Sequence, residues 1–317
     1  MPDDAVWDID DAEVAGIEDG QLLVRVKYIS MDPAMRGWLD DRRSYLPPVK
    51  IGDVMRAVGV GEVVATRCDG LAAGDHVSGG FGVQQYAVAT PDAVTRIDES
   101  MAPLPVFLSA LGTTGLTAYF GLLEIGQPQA GDTVVVSAAA GAVGSIAGQI
   151  AKILGCRAVG IAGGPEKCRV VVEEFGFDAA IDYRNEDVAA RLRELCPERI
   201  DVYFDNVGGD ILDAALARLD RHARVVLCGA ISQYNQGRMR GPSNYMSLLV
   251  DRARMEGFLV FDYAARYAEA RTQLAAWRAQ GRLHSREQVL QGIDAFPEAL
   301  RMLLRGDNTG KLIVAVN

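Results

Sequence analysis

Apolar and polar positions follow two different patterns along the chain, and the change falls just past residue 105. Before it, short β-like runs are broken by Gly, Pro and Asp. "QLLVRVKYISM" alternates in its first half, and "VMRAVGVGEVVAT" has the Val and Gly content of a bent strand. "AAGDHVSGG" carries a turn before a strand, and "GVQQYAVA" reads as the strand that follows. Helical spacing is hard to find here. The pattern predicts a mostly β domain built on a bent, barrel-like sheet.

After "LSALGTTGLTAYFGLLEIG", short apolar runs take turns with helical spacing. Strands are predicted at 133–137, 157–161, 180–182, 202–206, 224–229 and 254–261. Helices are predicted between most of them, at 144–154, 166–175, 187–196 and 210–219. Apolar strands without polar alternation, separated by helices, imply a parallel sheet covered on both faces, hence an α/β domain. Helices at 264–280 and 296–304 detach a last strand, "GKLIVAV", which is expected to return to the first domain.

A length of 317 residues agrees with two domains rather than one core. The net charge of -10 argues against a nucleic-acid partner, which needs a basic surface to displace counterions. The start, "MPDDAVWDIDDAEV", is acidic and lacks the apolar core of a secretory signal. Ser137, Ser145, Gln149 and Lys152 interrupt the most apolar window, so no membrane span is expected and the protein reads as soluble. The 5 cysteines, Cys68, Cys156, Cys168, Cys196 and Cys228, form no C-x-x-C pair, and His76, His222 and His284 are scattered. Neither a disulfide framework nor a metal site is expected, and a reducing cytoplasm fits.

The stretch "TVVVSAAAGAVGSIAGQIAKILG" carries the chemistry. Ala138-x-x-Gly141-x-x-Gly144 follows an apolar strand and opens a helix, which is the context a dinucleotide fingerprint requires. The alternative is an Ala/Gly turn that serves close packing alone. The next strand ends "GIAGGPEKC": Gly163 and Gly164 stand where an NAD protein carries an acid for the ribose hydroxyls, and Lys167 follows. Small residues leave room for a 2′-phosphate and Lys167 neutralises it, which favours NADP(H); Glu166 is the residue that could instead take the ribose role. Tyr183, Asn206 with Gly208 and Gly209, and the run Gly229, Ala230, Ile231, Ser232 and Tyr234 end further strands on the same predicted edge.

Taken together, "AAAGAVGS", "YFDNVGG", "CGAISQYN" and "GDNTGK" resemble the zinc-free medium-chain dehydrogenase/reductases. Within these, the chain is similar to the prostaglandin reductase (leukotriene B4 12-hydroxydehydrogenase) group of NADP-dependent alkenal/one oxidoreductases. The resemblance implies a Rossmann doubly wound parallel sheet at 114–285, inserted into a GroES-like catalytic domain at 1–113 and 286–317. It implies NADPH-dependent reduction of the C=C bond of α,β-unsaturated ketones and aldehydes, a small hydrophobic enone or enal substrate, and a homodimer. By the same resemblance Gly141, Ala142, Val143 and Gly144 form the pyrophosphate turn and Lys167 meets the 2′-phosphate. Tyr183, Asn206 and Asn308 are further cofactor contacts. Cys228, Gly229, Ala230, Ile231, Ser232 and Tyr234 line the nicotinamide side, with Phe258, Leu259 and Val260 beside it. Two departures stand out. Members commonly carry a further N-terminal segment with a first strand, and "GGPEKC" replaces the Ser and Asp that precede Glu-Lys in mammalian members, a more bacterial version.

Enone reduction needs a hydride donor near the β-carbon, a group that stabilises charge on the carbonyl oxygen, and a proton for the α-carbon. Tyr234 is the leading candidate for the charge-stabilising group. Tyr45, in "DDRRSYLPP", reads as a surface turn and Arg36 as a structural ion-pair residue. Loops 45–50 and 238–245 are expected to wall the pocket. No G-x-S-x-G elbow is present, and Cys228 is assigned no chemistry. A quinone oxidoreductase on the same fold, or a non-catalytic NADPH-binding module, are the alternatives.

Overall fold

The alternating run near residue 22 forms a nine-residue strand, β1 (Leu22–Ser30), with Leu22, Val24, Val26 and Ile29 fully buried. The alternation slips between Val26 and Tyr28, where the register with β2 (Gly59–Thr66) shifts, so a bulge carries the buried face around the bend. The computed structural model describes residues 1–236 and 239–316. The chain divides into two units, Met1–Ser109 with Glu287–Asn317, and Ala110–Arg286. In the first, a short helix α1 (Ala34–Trp38) follows β1, and β3 (His76–Gly79), β4 (Tyr86–Ala89) and β5 (Val94–Arg96) follow β2.

The second unit opens with α2 (Thr113–Phe120) and then alternates. Its elements are β6 (Thr133–Ser137), α3 (Ala142–Ile153), β7 (Arg157–Ala162), α4 (Pro165–Glu173), β8 (Ala179–Asp182) and α5 (Val188–Leu195). They continue with β9 (Ile200–Asp205), α6 (Gly209–Leu216), β10 (Leu219–Leu227), α7 (Met246–Val250), β11 (Arg254–Gly257) and α8 (Tyr267–Ala279). The six strands pair in the order β11-β10-β9-β6-β7-β8, all parallel. Val134, Val135, Val136, Val159, Ile161, Val202 and Val225 are fully buried, as strands covered on both faces require. From β6 the chain adds strands on one side, then crosses back to add β9, β10 and β11 on the other. The β6/β9 boundary is therefore a topological switch point, where open α/β sheets bind ligands beyond their carboxyl ends.

After α8 the chain re-enters the first unit through β12 (Glu287–Gln291), α9 (Phe296–Arg305) and β13 (Lys311–Ala315). β13 pairs antiparallel with Tyr28–Ser30 of β1, while Leu22–Arg25 of the same strand pairs with β4. One long strand thus serves three partners, and the seven-stranded sheet runs β12-β13-β1-β2-β3-β5 with β4 on β1. Lys311 is buried and donates to the Met31 carbonyl at 2.9 Å and to Asp32 at 2.6 Å, so its charge is met inside the unit.

Two spans differ from expectation. The apolar run "FLVF" extended the predicted last parallel strand to residue 261, but β11 ends at Gly257 and the chain turns into a 3-10 helix at Val260–Arg266. That turn also takes the first residues of the helix predicted from 264. The strand predicted at 224–229 begins earlier, at Leu219, and bends at His222, whose φ is +68°.

Candidate cofactor and active site

The turn after β6 is built from backbone constraints. Ala138 has a left-handed φ of +50°, the conformation for which the fingerprint's first position favours glycine. Gly141 N–H donates to the Ala138 carbonyl at 2.9 Å, closing the turn. Gly144 admits no side chain: a Cβ there would stand 2.3 Å from the Ala138 oxygen. The first intrahelical bond runs from Ser145 to Gly141 at 3.0 Å. The N–H groups of Ala142, Val143 and Gly144 therefore have no acceptor within α3, no side chain caps the helix, and its first turn holds no acid. Such an end favours an anion.

The residues expected on the adenosine side meet at the ends of β7 and β8. Gly163 carries Tyr183 and Arg184 directly over it: a Cβ would stand 2.9 Å from the Tyr183 hydroxyl and 3.0 Å from Arg184 Nε. Lys167 lies half-buried in the first turn of α4. Glu166 pairs with Arg169 at 2.6 Å on the exposed side of that helix, so its carboxylate is turned to a cation of its own helix. The buried Asp182 joins the two loops, accepting Gly164 N–H at 2.7 Å, Arg184 N–H at 3.0 Å and Asn185 Nδ2 at 2.7 Å. Burial pushes its carboxyl up, but these hydrogen bonds overcome that and hold it below the usual carboxylate range.

At the switch point, Asn206 donates its N–H to Ser137 Oγ at 2.8 Å and its Nδ2 to the Ser137 carbonyl at 2.7 Å, bracing β6 against β9. The next loop over is locked onto it. Cys228 and Gly229 donate N–H to the Asp205 carbonyl at 2.9 and 3.0 Å, and Ile231 to that of Asn206 at 3.1 Å. Ser232 Oγ donates to the Val207 carbonyl at 2.6 Å, so its hydroxyl works inside the protein. Tyr234 folds back under the loop, its hydroxyl oxygen accepting the Ala230 N–H at 3.2 Å. Burial raises the Tyr234 phenol and pushes the Cys228 thiol up to about 12, the nearby Asp205 charge adding to both.

Gly141, Ala142, Val143, Gly144, Lys167, Tyr183, Asn206 and the run from Cys228 to Tyr234 thus all follow carboxyl ends of one parallel sheet. Phe258 also follows a strand on this edge, but its ring packs toward the body of the unit, where a Cβ on Gly121 would stand 2.5 Å from it. Val260 is buried and its carbonyl accepts from Tyr267 at 3.0 Å, with Leu259 between them half-buried. Asn308 belongs to the other unit, buried, with Nδ2 donating to the Gly310 carbonyl at 2.9 Å. Tyr45 is exposed there, and Arg36 pairs with Asp40 at 2.9 Å. Of the expected wall loop 238–245, Arg238 lies outside the described residues. Asp182, Arg184 and Asp205 had not been singled out, although each ends or follows a strand that had been.

A family model described as the N-terminal domain of oxidoreductase matches residues 1–97, and one described as zinc-binding dehydrogenase matches 142–276. The NADPH-dependent curcumin reductase of Escherichia coli (strain K12) is 40% identical over 97% of this chain and 91% of that protein. The chain belongs to the medium-chain dehydrogenase/reductase family. A second member, 2-alkenal reductase (NADP(+)-dependent) of Nicotiana tabacum, is 39% identical over 93% of this chain and 87% of its own. The crystal structure of CurA in complex with NADPH from Vibrio vulnificus matches this medium-chain dehydrogenase/reductase with a TM-score of 0.93 at 41% identity. It covers 97% of this chain and 93% of the other. The family description names zinc, but among the described residues no group of three or more His, Cys, Asp or Glu is placed to hold a metal ion.

Proposed function

We propose that this chain reduces the C=C bond of α,β-unsaturated ketones and aldehydes with NADPH. It is an NADP-dependent oxidoreductase, like the relatives of similar length. The reading of the substrate rests on the activities for which those relatives are named and on one structural observation: a loop locked onto the switch point, with the half-buried Tyr234 folded back against it. NADPH, when bound, supplies the hydride.

The chain's own groups hold and orient. The free N–H groups of Ala142, Val143 and Gly144 face the pyrophosphate, and Lys167 and Tyr183 take the adenosine 2′-phosphate. Asn206, Cys228, Gly229, Ala230, Ile231 and Ser232 shape the nicotinamide side, with Phe258, Leu259 and Val260 behind them. Tyr234 keeps its proton through the neutral range because burial raises it, and so retains a hydrogen to donate to the substrate's carbonyl oxygen as charge develops there.

We also propose a cytoplasmic location, on the reducing environment that the cysteine pattern fits; no helix among the described residues is long and apolar enough to cross a membrane. A homodimer is part of the same proposal. Tyr245, Met246, Leu249 and Val250 are exposed just before β11, which pairs with one strand among the described residues, so an open ladder adjoins an apolar surface. Steady-state rates with NADPH on an aliphatic enone and on a quinone test the function. Turnover of the enone supports it; activity on quinones alone, or NADPH binding without turnover of either, refutes it.

A further inference from the structure

We infer that Arg184 is a second cation for the 2′-phosphate and a determinant of NADPH over NADH; this rests on the NADP reading above. Two observations carry it. The end of β7, where NAD proteins place an acid, is Gly163, and the space a side chain would fill there is covered by Arg184, with Nε 3.0 Å from the Cβ position. Asp182 fixes that arrangement through one oxygen, Oδ1, which accepts the backbone N–H of both Gly164 and Arg184. The main chain that bears the guanidinium is thereby tied to the main chain that opens α4.

The chemistry suits the residue. A guanidinium presents a planar fork of donors that matches phosphate oxygens two at a time and stays charged at every working pH. Lys167 offers a point charge from α4, and Arg184 adds the directional contact from β8. The Arg184 side chain is exposed, so replacing it leaves the core intact.

The test is calorimetric titration of the full-length protein with adenosine 2′,5′-bisphosphate and with 5′-AMP, which differ only in the 2′-phosphate, alongside kcat/KM for NADPH and NADH. Arg184→Ala is expected to weaken the bisphosphate about tenfold and 5′-AMP less than twofold, with NADH kinetics unchanged. Arg184→Lys should recover part of the loss. Equal weakening of both nucleotides, or none, overturns the assignment while leaving NADP as cofactor. A wild-type protein that does not discriminate between the two nucleotides overturns the NADP reading and the assignment together.

Discussion

Ser137 donates its hydroxyl to the Asp205 carboxylate at 3.0 Å, joining the carboxyl ends of β6 and β9 where the strand order reverses. The same oxygen, Oδ1, accepts the Tyr203 hydroxyl and the Val207 and Gly208 N–H groups, each at 3.0 Å. One buried carboxylate therefore shapes the loop on which the proposed cofactor contacts after β9 and β10 rest. Asp205→Ala removes the acceptor of four donors and is expected to cost about 3 kcal/mol, whereas Asp205→Asn keeps an oxygen there and should cost about 1 kcal/mol. Urea unfolding of the two variants checks the difference; equal losses would mean that the hydrogen bonds do not hold the site.

Asp205 also sets a pH dependence. Its second oxygen is buried with no partner among the described residues, and burial, outweighing the hydrogen bonds, raises the carboxyl above its ordinary value. A folded-state pKa above the unfolded one favours the protonated native form. The contribution is full below the ordinary carboxylate pKa of about 4 and is lost as pH rises through the folded value. Relative to Asp205→Asn, the wild type should lose stability as pH climbs from about 4 towards neutrality. Parallel unfolding midpoints across that range would contradict the assignment.

Gly144→Ala places a methyl group 2.3 Å from a carbonyl oxygen that cannot move without reshaping the turn. Overpacking of this kind costs about 1–3 kcal/mol. Because the displaced backbone is the proposed pyrophosphate cradle, NADPH affinity should fall as well, by about tenfold or more. Thermal unfolding and fluorescence titration with NADPH measure the two effects separately.

Tyr234→Phe removes the proposed donor and the acceptor of the Ala230 N–H, yet keeps the ring. The expected result is a kcat lower by about 100-fold with the KM for NADPH within about threefold. Since burial raises the phenol, wild-type activity should show no loss from its ionisation below about pH 10. A Phe variant with full kcat would reduce Tyr234 to a structural prop.

Thiol reactivity follows burial. Cys156, Cys168 and Cys196 are each pushed up to about 11 and Cys228 to about 12, all chiefly by burial. Iodoacetamide at pH 8 should label native protein at Cys68 well before the other four, read by peptide mass spectrometry. Early labelling of Cys228 would show that the loop above it opens.

The alternation of apolar strands with helices was legible because strands buried on both faces leave uninterrupted apolar runs, and the glycine turn was legible because sterics fix its spacing. What sequence did not reveal is tertiary. Asp182 and Asp205 read as plain strand ends, since an acid that accepts backbone N–H groups from another loop has no local signature. Arg184 sat beside Tyr183, yet only the register of β7 on β8 brings it over Gly163. β12, "EQVLQ", is polar and only half-buried, so its alternation was too faint to mark a strand, and "FLVF" misled in the opposite sense because its apolar residues pack in a turn.

The proposed reaction delivers hydride to the β-carbon of the enone rather than to its carbonyl carbon. Incubating the purified protein with an aliphatic enone and NADPH deuterated at C4 of the nicotinamide, then reading the product by NMR, tests it directly. The account predicts the saturated ketone with deuterium on the former β-carbon and one NADP+ formed per product. An allylic alcohol with deuterium on the carbinol carbon would contradict it.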